Sequence, residues 1–291
     1  MKKLIEGIRG FQTNYVPRHR DLLENLSHGQ HPRVLFITCS DSRISPSLLT
    51  QTDLGDLFVI RNAGNIIPPY GAANGGEGGT IEYALHALGI DQIVVCGHSH
   101  CGAMKGLLQL GKLEAEMPLV YDWLRHAEAT RRLVRENYVD FEEEELLEIT
   151  IAENVLTQIE NLKTYPIVRS RLHQGKLRMY AWIYLIETGE VLAYDPETRA
   201  YTHPQSQLIE DRDAADQRYS KTNAPPVTCE LPPIVPESVV FTGNGNKTTI
   251  STSTPVVPAA STAAPAAVPR SGQSWLSPEQ ADRIYRGSKA R

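Results

Sequence analysis

Cys39-Ser40-Asp41-Ser42-Arg43 follows the apolar run Val34-Leu35-Phe36-Ile37-Thr38, and His98-Ser99-His100-Cys101-Gly102 follows Ile93-Val94-Val95. Short runs rich in β-branched residues and closed by polar or glycine positions read as buried strands. Each strand therefore delivers soft ligands at its carboxyl end, the end at which open α/β sheets place their sites. Cys39, His98 and Cys101 form a Cys2His set, the three-ligand composition of a catalytic zinc with a fourth position left for water. Asp41 and Arg43 add an acid and a basic partner just past the first ligand. Singly, these residues decide little: Cys39 and Cys96 also suit the place of a small buried hydrophobe, and Asp41 with Arg43 alone reads as a loop ion pair. Their joint occurrence at two strand ends is what points to a metal site.

The pattern Cys-X-Asp-X-Arg followed by His-X-X-Cys resembles the β-class carbonic anhydrases. The similarity runs over roughly residues 9–196 and takes in Arg61-Asn62-Ala63-Gly64-Asn65, Glu82-Tyr83-Ala84, Cys96-Gly97-His98 and Glu153-Asn154-Val155. The resemblance implies a lyase that hydrates carbon dioxide reversibly to bicarbonate and a proton, with one Zn2+ per subunit on Cys39, His98 and Cys101 and with Asp41 and Arg43 as the catalytic dyad. It also implies a substrate pocket of Gln30, Phe58, Ala63, Tyr83 and the backbone near Gly102. Gln30, Phe58 and Tyr83 are expected to reach that pocket across a dimer interface, in a homo-oligomer built from dimers. Read without the family, Gln30 is a loop amide and Phe58 a strand-core residue. One branch of the family carries a tryptophan where this chain has Phe36, and there a bicarbonate swings the aspartate onto zinc. With Phe36, Asp41 is expected to stay off the metal.

Two thiolates and one imidazole neutralise the charge of zinc, so such a site acidifies water less than three histidines would. Asp41 is expected to compensate by accepting a hydrogen bond from the attacking hydroxide, an orienting role. His100 and His86 are candidates for moving the proton by residue type only.

A chain of 291 residues can bury a sizeable core, and its net charge of −5 gives no electrostatic reason to expect nucleic acid or an anionic membrane as partner. No long apolar span is present and the amino terminus is too charged for a signal peptide, so an intracellular, cytoplasmic protein is expected. Four cysteines, two of them proposed ligands, suit a reducing compartment better than a disulfide framework.

Strands alternating with helices predict an α/β fold: a central, mostly parallel sheet flanked by helices, with an N-terminal helical arm and an antiparallel edge. The arm spans residues 1–30, with Leu4, Ile5, Ile8 and Phe11 on one face, a break at Pro17, and a second helix through Leu22, Leu23 and Leu26. The catalytic domain is expected over 31–219. Within it, residues 71–79 read as irregular glycine-rich backbone, 80–88 as a helix stopped at Gly89, and 91–96 as the strand before the second ligand pair. Residues 117–165 read as mostly helical, with the acidic run Glu142 to Glu145 opening a long helix. Residues 177–186 and 191–194 flank Thr188-Gly189-Glu190 as a hairpin that adds antiparallel strands at the sheet edge.

Beyond about residue 220 the composition shifts to proline, alanine, serine, threonine and valine, which cannot offset the entropy of ordering. Residues 220–272 are therefore expected to be a disordered low-complexity linker, and 273–291 a docking peptide in which Trp275, Leu276, Ile284 and Tyr285 face a partner from a short helix capped at Ser277-Pro278. A β-class enzyme with such a tail resembles the carboxysomal type of cyanobacteria. That resemblance implies a location inside carboxysomes and recruitment to their scaffold protein through the tail. Two other readings stand beside it: a catalytically silent zinc protein serving scaffold assembly, against which Asp41 and Arg43 speak, and a nucleotide-binding domain, for which residues 75–79 lack the lysine and spacing of a phosphate loop.

Overall fold

The computed structural model describes residues 1–73 and 75–204. The expected linker and the docking residues Trp275, Leu276, Ile284 and Tyr285 lie outside the described residues. The amino-terminal arm consists of α1 (Lys2–Gly10) and α2 (Arg20–Ser27), joined by tighter and wider helical turns around Pro17. No residue of α1 is buried; Leu4, Ile5, Ile8 and Phe11 are all exposed.

Six strands then build one sheet in the order β2-β1-β3-β4-β5-β6. The strands are β1 (Val34–Cys39), β2 (Leu57–Asn62), β3 (Gln92–His98), β4 (Arg178–Tyr184), β5 (Val191–Asp195) and β6 (Ala200–Thr202). β1 pairs in parallel with β2 on one side and β3 on the other, and β3 pairs in parallel with β4. Only the β4–β5 and β5–β6 pairs are antiparallel, β5 being the one reversed strand. β1 and β3 are buried along nearly their whole length, which is why they read as continuous apolar runs rather than as alternating ones.

Short α3 (Pro46–Thr50) follows the first ligand loop, and α4 (Gly76–Glu82) continues through a wider turn, Tyr83–Ala87, before β3. Between β3 and β4 the chain is helical: α5 (Gly102–Leu108), α6 (Leu113–Glu116), α7 (Pro118–Leu124), α8 (Glu128–Asn137), α9 (Glu143–Lys163) and α10 (Pro166–His173). α9 opens on a capping box in which Glu142 and Glu145 serve each other's backbone amides. It packs on β3 and β4, and Leu35, Ile37, Ile93 and Val95 from the sheet join Ile151, Val155 and Leu162 of α9 in the main core. The opposite face of the sheet carries Phe36, Val94 and Cys96, with Tyr180, Trp182 and Tyr184 only partly buried beside them.

Four expectations need correction. The glycine-rich segment is helical from Gly76, because Ile81, Ala84 and Leu85 bury against the core and Glu77 suits the first turn, which together outweigh the low helix propensity of glycine. β3 runs through His98 itself, since β4 continues pairing to His98↔Tyr184. β4 is a parallel strand, the crossover being completed by α10, which the sequence reading passed over; the hairpin therefore contributes only β5 as an antiparallel neighbour. β6, a short strand after β5, was likewise not foreseen.

Gly97 lets α9 lie close to the sheet: a Cβ there would stand 2.8 Å from Val155 Cγ2 and 3.2 Å from Ile151 Cγ2. Gly97→Ala is expected to destabilise the protein by about 1–3 kcal/mol through overpacking. Urea unfolding checks this, and a midpoint equal to that of the parent protein would contradict it.

Candidate metal centre

β1 and β3 are adjacent, yet the chain leaves β1 for β2 on one side and returns to β3 on the other, so the crevice at their carboxyl ends is a topological switch point. Cys39 is the last residue of β1, His98 the last of β3, and Cys101 caps α5. All three are buried, and one ligand atom from each lies within 4.8 Å of the others. Among the described residues this is the group of histidine, cysteine and acidic side chains able to hold a metal ion.

The donor chemistry fits zinc. His98 Nδ1–H donates to the Ser99 carbonyl at 2.9 Å, which leaves the Nε2 lone pair facing inward. Nε2 is buried and makes no hydrogen bond of normal geometry, an orphan that a cation would satisfy. The Cys39 thiol is pulled down to about 4, first by a hydrogen bond from Cys101 and against the cost of burial, while Cys101 is pushed up by the same bond and by its own burial. Burial alone would depress the His98 imidazole, but the neighbouring Cys39 thiolate outweighs it and raises the pKa. Two soft sulfurs and one imidazole, packed this closely, select zinc over hard cations.

Asp41 and Arg43 form a two-point pair beside the centre. Arg43 Nε donates to Asp41 Oδ1 at 2.9 Å, Nη2 to Oδ2 at 2.7 Å, and the Arg43 backbone amide to Oδ1 at 2.9 Å. That fork holds the Asp41 carboxyl well below the usual carboxylate range. Oδ2 sits 3.8 Å from His98 Nε2, at the edge of the metal site. Arg43 also donates to the His100 carbonyl at 3.2 Å, which ties the first ligand loop to the second.

Arg61 makes the first loop rigid by donating to the carbonyls of Cys39, Asp41 and Ile44 at 3.0, 2.6 and 3.0 Å. The second loop is pinned from the hairpin end. Ser99 Oγ donates to Glu187 Oε2 at 2.7 Å and accepts from the Ile186 amide at 2.9 Å, and the His100 ring meets Glu187 Oε1. His100 adopts a left-handed backbone, φ +53°, with its amide on Glu148 Oε1.

The remaining expected site residues fall into separate places. Phe58 on β2 and Tyr83 after α4 lie together, ring centroids 6.1 Å apart and tilted by 37°. Ala63 is exposed, and its carbonyl accepts from Trp123 Nε1 at 2.8 Å. Gln30 is half-buried between α2 and β1, and Gly102 opens α5. The sequence reading quoted Arg61, Gly64, Ser99 and Asn154 but gave them no role, and it missed Trp123 and Glu187. A carbonyl clamp has no residue pattern of its own, because any donor of the right reach will serve.

Comparison with known proteins agrees with this geometry. A family model described as carbonic anhydrase matches residues 34–191. A carbonic anhydrase from Synechococcus elongatus is 56% identical over 288 residues, which cover 99% of this chain and 99% of that protein. One from Pseudomonas aeruginosa is 42% identical over 213 residues, covering 72% of this chain and 96% of that protein. A solved structure of the beta-carbonic anhydrase CcaA superposes with a TM-score of 0.70 at 65% identity, covering 70% of this chain and 99% of that one. Family match, sequence identity over nearly the whole chain and superposition agree, and the chain belongs to the β-carbonic anhydrase family.

Proposed function

We propose that this chain hydrates carbon dioxide reversibly to bicarbonate and a proton with zinc held by Cys39, His98 and Cys101, and that it does so inside carboxysomes, where it supplies carbon dioxide. The observation that carries the chemistry is the buried Cys2His triad with a carboxylate at its edge already committed to a guanidinium. Zinc bound there supplies the Lewis acidity that makes hydroxide available near neutral pH. Asp41 accepts a hydrogen bond from the attacking hydroxide and so aims a lone pair at the carbon of carbon dioxide. Arg43 keeps that carboxylate ionised and acceptor-only, and fixes its plane by bonding both of its oxygens. Phe58, Ala63 and Tyr83 offer apolar surface to carbon dioxide, while Gln30 and backbone groups near Gly102 hydrogen-bond the developing bicarbonate. With Phe36 in β1 at the position where one branch of the family has tryptophan, Asp41 stays with Arg43 rather than moving to the metal.

The same reading includes a homo-oligomer built from dimers, which the uncovered apolar surface of the amino-terminal arm supports. α1 presents Leu4, Ile5 and Ile8 to solvent, and Phe11 just after it, a stripe that a second copy of the chain would bury. The test of the activity is stopped-flow hydration of carbon dioxide beside metal analysis, before and after a chelator. Activity that tracks zinc content supports the reading; a full complement of zinc without hydration leaves the scaffold-assembly reading in its place.

Recruitment is assigned to residues 273–291. The match to the Synechococcus elongatus relative covers 99% of this chain, whereas that to the Pseudomonas aeruginosa relative covers 72% of this chain and 96% of that protein, which suits a tail with a function separate from catalysis. Truncation after Ser271 is expected to leave hydration nearly unchanged and to abolish binding to a carboxysome scaffold, with Trp275, Leu276, Ile284 and Tyr285 as the anchors. A pull-down measures it. Binding equal to that of the full chain, by the truncation or by a Trp275→Ala, Tyr285→Ala double variant, would move the docking surface to the folded domain.

A further inference from the structure

Two thiolates cancel the charge of a divalent cation, so a Cys2His centre gains electrophilicity from whatever draws charge off sulfur. One donor aims at Cys39 from the loop after β2: the Gly64 amide, 3.4 Å from Sγ. Only glycine fits there, since φ is +81° and a Cβ would stand 2.7 Å from Met104 Cε and 3.1 Å from Ala103 Cβ.

The peptide that carries this amide is gripped at its other end. Its carbonyl, that of Ala63, accepts from the Trp123 indole at 2.8 Å. Donor, peptide and sulfur thus form a chain, indole N–H to carbonyl and amide N–H to thiolate, in which each bond polarises the next.

The following peptide is anchored by amides one and two turns apart on α9. Asn154 Nδ2 donates to the Gly64 carbonyl at 2.9 Å, and its Oδ1 accepts from Gln158 Nε2 at 2.9 Å. Gln158 Oε1 accepts from the Ile67 amide at 2.9 Å and from Asn161 Nδ2 at 3.1 Å, and Asn161 Nδ2 also donates to the Ile67 carbonyl at 2.9 Å. Asn154 and Gln158 are 1% and 0% exposed, and buried amides of this kind are costly unless their hydrogen bonds are made. A ladder of amides inside the main core, ending on a loop that touches a metal ligand, is costly for a merely structural helix, whose face apolar side chains would fill at less expense.

We propose that Trp123, with the Asn154–Gln158–Asn161 ladder as its anchor, is a positioning device that holds the Ala63–Gly64 peptide on Cys39 and thereby withdraws charge from the thiolate. The inference rests on the zinc reading above. Trp123→Phe removes the indole donor and keeps a ring; Asn154→Leu removes the anchor; Leu162→Ala, an apolar core change further along α9, serves as the control for lost packing.

Each variant is prepared with cobalt(II) in place of zinc, and the sulfur-to-cobalt charge-transfer band is recorded with metal content, melting temperature and the pH profile of kcat. The band is expected to move to longer wavelength in Trp123→Phe and further in Asn154→Leu, because a thiolate relieved of its hydrogen bond is a better electron donor. In the same variants kcat near neutral pH should fall several-fold and recover at alkaline pH, while Leu162→Ala lowers the melting temperature without moving the band. An unmoved band in Trp123→Phe with full cobalt loading overturns the proposal, even if Asn154→Leu does not fold. Failure of the unaltered protein to take up cobalt or zinc overturns the metal site itself, and this inference with it.

Discussion

Cys39→Ser should lose metal and activity together, with hydration falling roughly 10³-fold or more, towards the uncatalysed rate. His98→Ala and Cys101→Ser should do the same. Each leaves two protein ligands where the buried crevice supplies three, and none of the described groups at the site can replace the lost one without breaking another bond: Asp41 is taken by Arg43, and Ser99 by Glu187 and the Ile186 amide. A serine hydroxyl in the place of Cys39 would also have to shed its proton at a far higher pKa than a thiol that the site itself pulls down to about 4. Elemental analysis of the purified variants, alongside stopped-flow rates, gives the answer. Zinc content near that of the parent protein in all three would mean that the metal sits elsewhere.

Asp41→Asn is expected to separate the metal from the chemistry. Zinc content should stay at the parent level, since Asp41 is not one of the three grouped ligands, while kcat/KM for hydration falls about 10²-fold, the usual scale for losing one preorganised hydrogen bond at a reacting oxygen. Arg43 presents three donors to the carboxylate, two from its side chain and one from its backbone. An asparagine can accept them only through its one oxygen, and its NH2 must then face either the guanidinium or the hydroxide it was meant to receive. The sign of the pH effect follows from the cause of the shift. Because Arg43 lowers the Asp41 pKa, the acceptor persists well into acid, so the acid limb of the parent protein's profile is not set by Asp41. Full activity of Asp41→Asn at alkaline pH with normal zinc would show that the dyad has no part in aiming the nucleophile.

The fold was legible where burial leaves a mark on composition. Val34 to Thr38 and Ile93 to Val95 read as buried strands because parallel strands covered on both faces have no polar side to show. Cys39, His98 and Cys101 were legible for a related reason: soft ligands are scarce, and two clusters at strand ends stand out against apolar runs. What stayed hidden depends on partners far off in the chain. β4 has the same sequence character whether it pairs in parallel with β3 or forms one arm of a hairpin, and only the register Gln92↔Arg178 decides. The helical turn at Gly76 is imposed by Ile81, Ala84 and Leu85 finding the core, against the preference of the glycines themselves. Asn154 and Gln158 look like polar residues breaking an apolar helix face until the loop they hold is in place.

The pairing of β3 with β4 also bears on how the protein comes off the ribosome. All three ligands are synthesised by residue 101, yet the strand that carries His98 has its far neighbour only when Tyr184 arrives, and Ser99 donates its amide to the Tyr184 carbonyl at 2.9 Å. Through that interval β3 is an open edge, the Cys39 and Cys101 side chains stand beside it, and α9 is not yet laid across Gly97. A nascent chain in this state is a target for stray metal ions, for oxidation and for strand-to-strand association with its neighbours on a polysome. The emergence of β4 closes that edge, through the pairs from Gln92↔Arg178 to His98↔Tyr184.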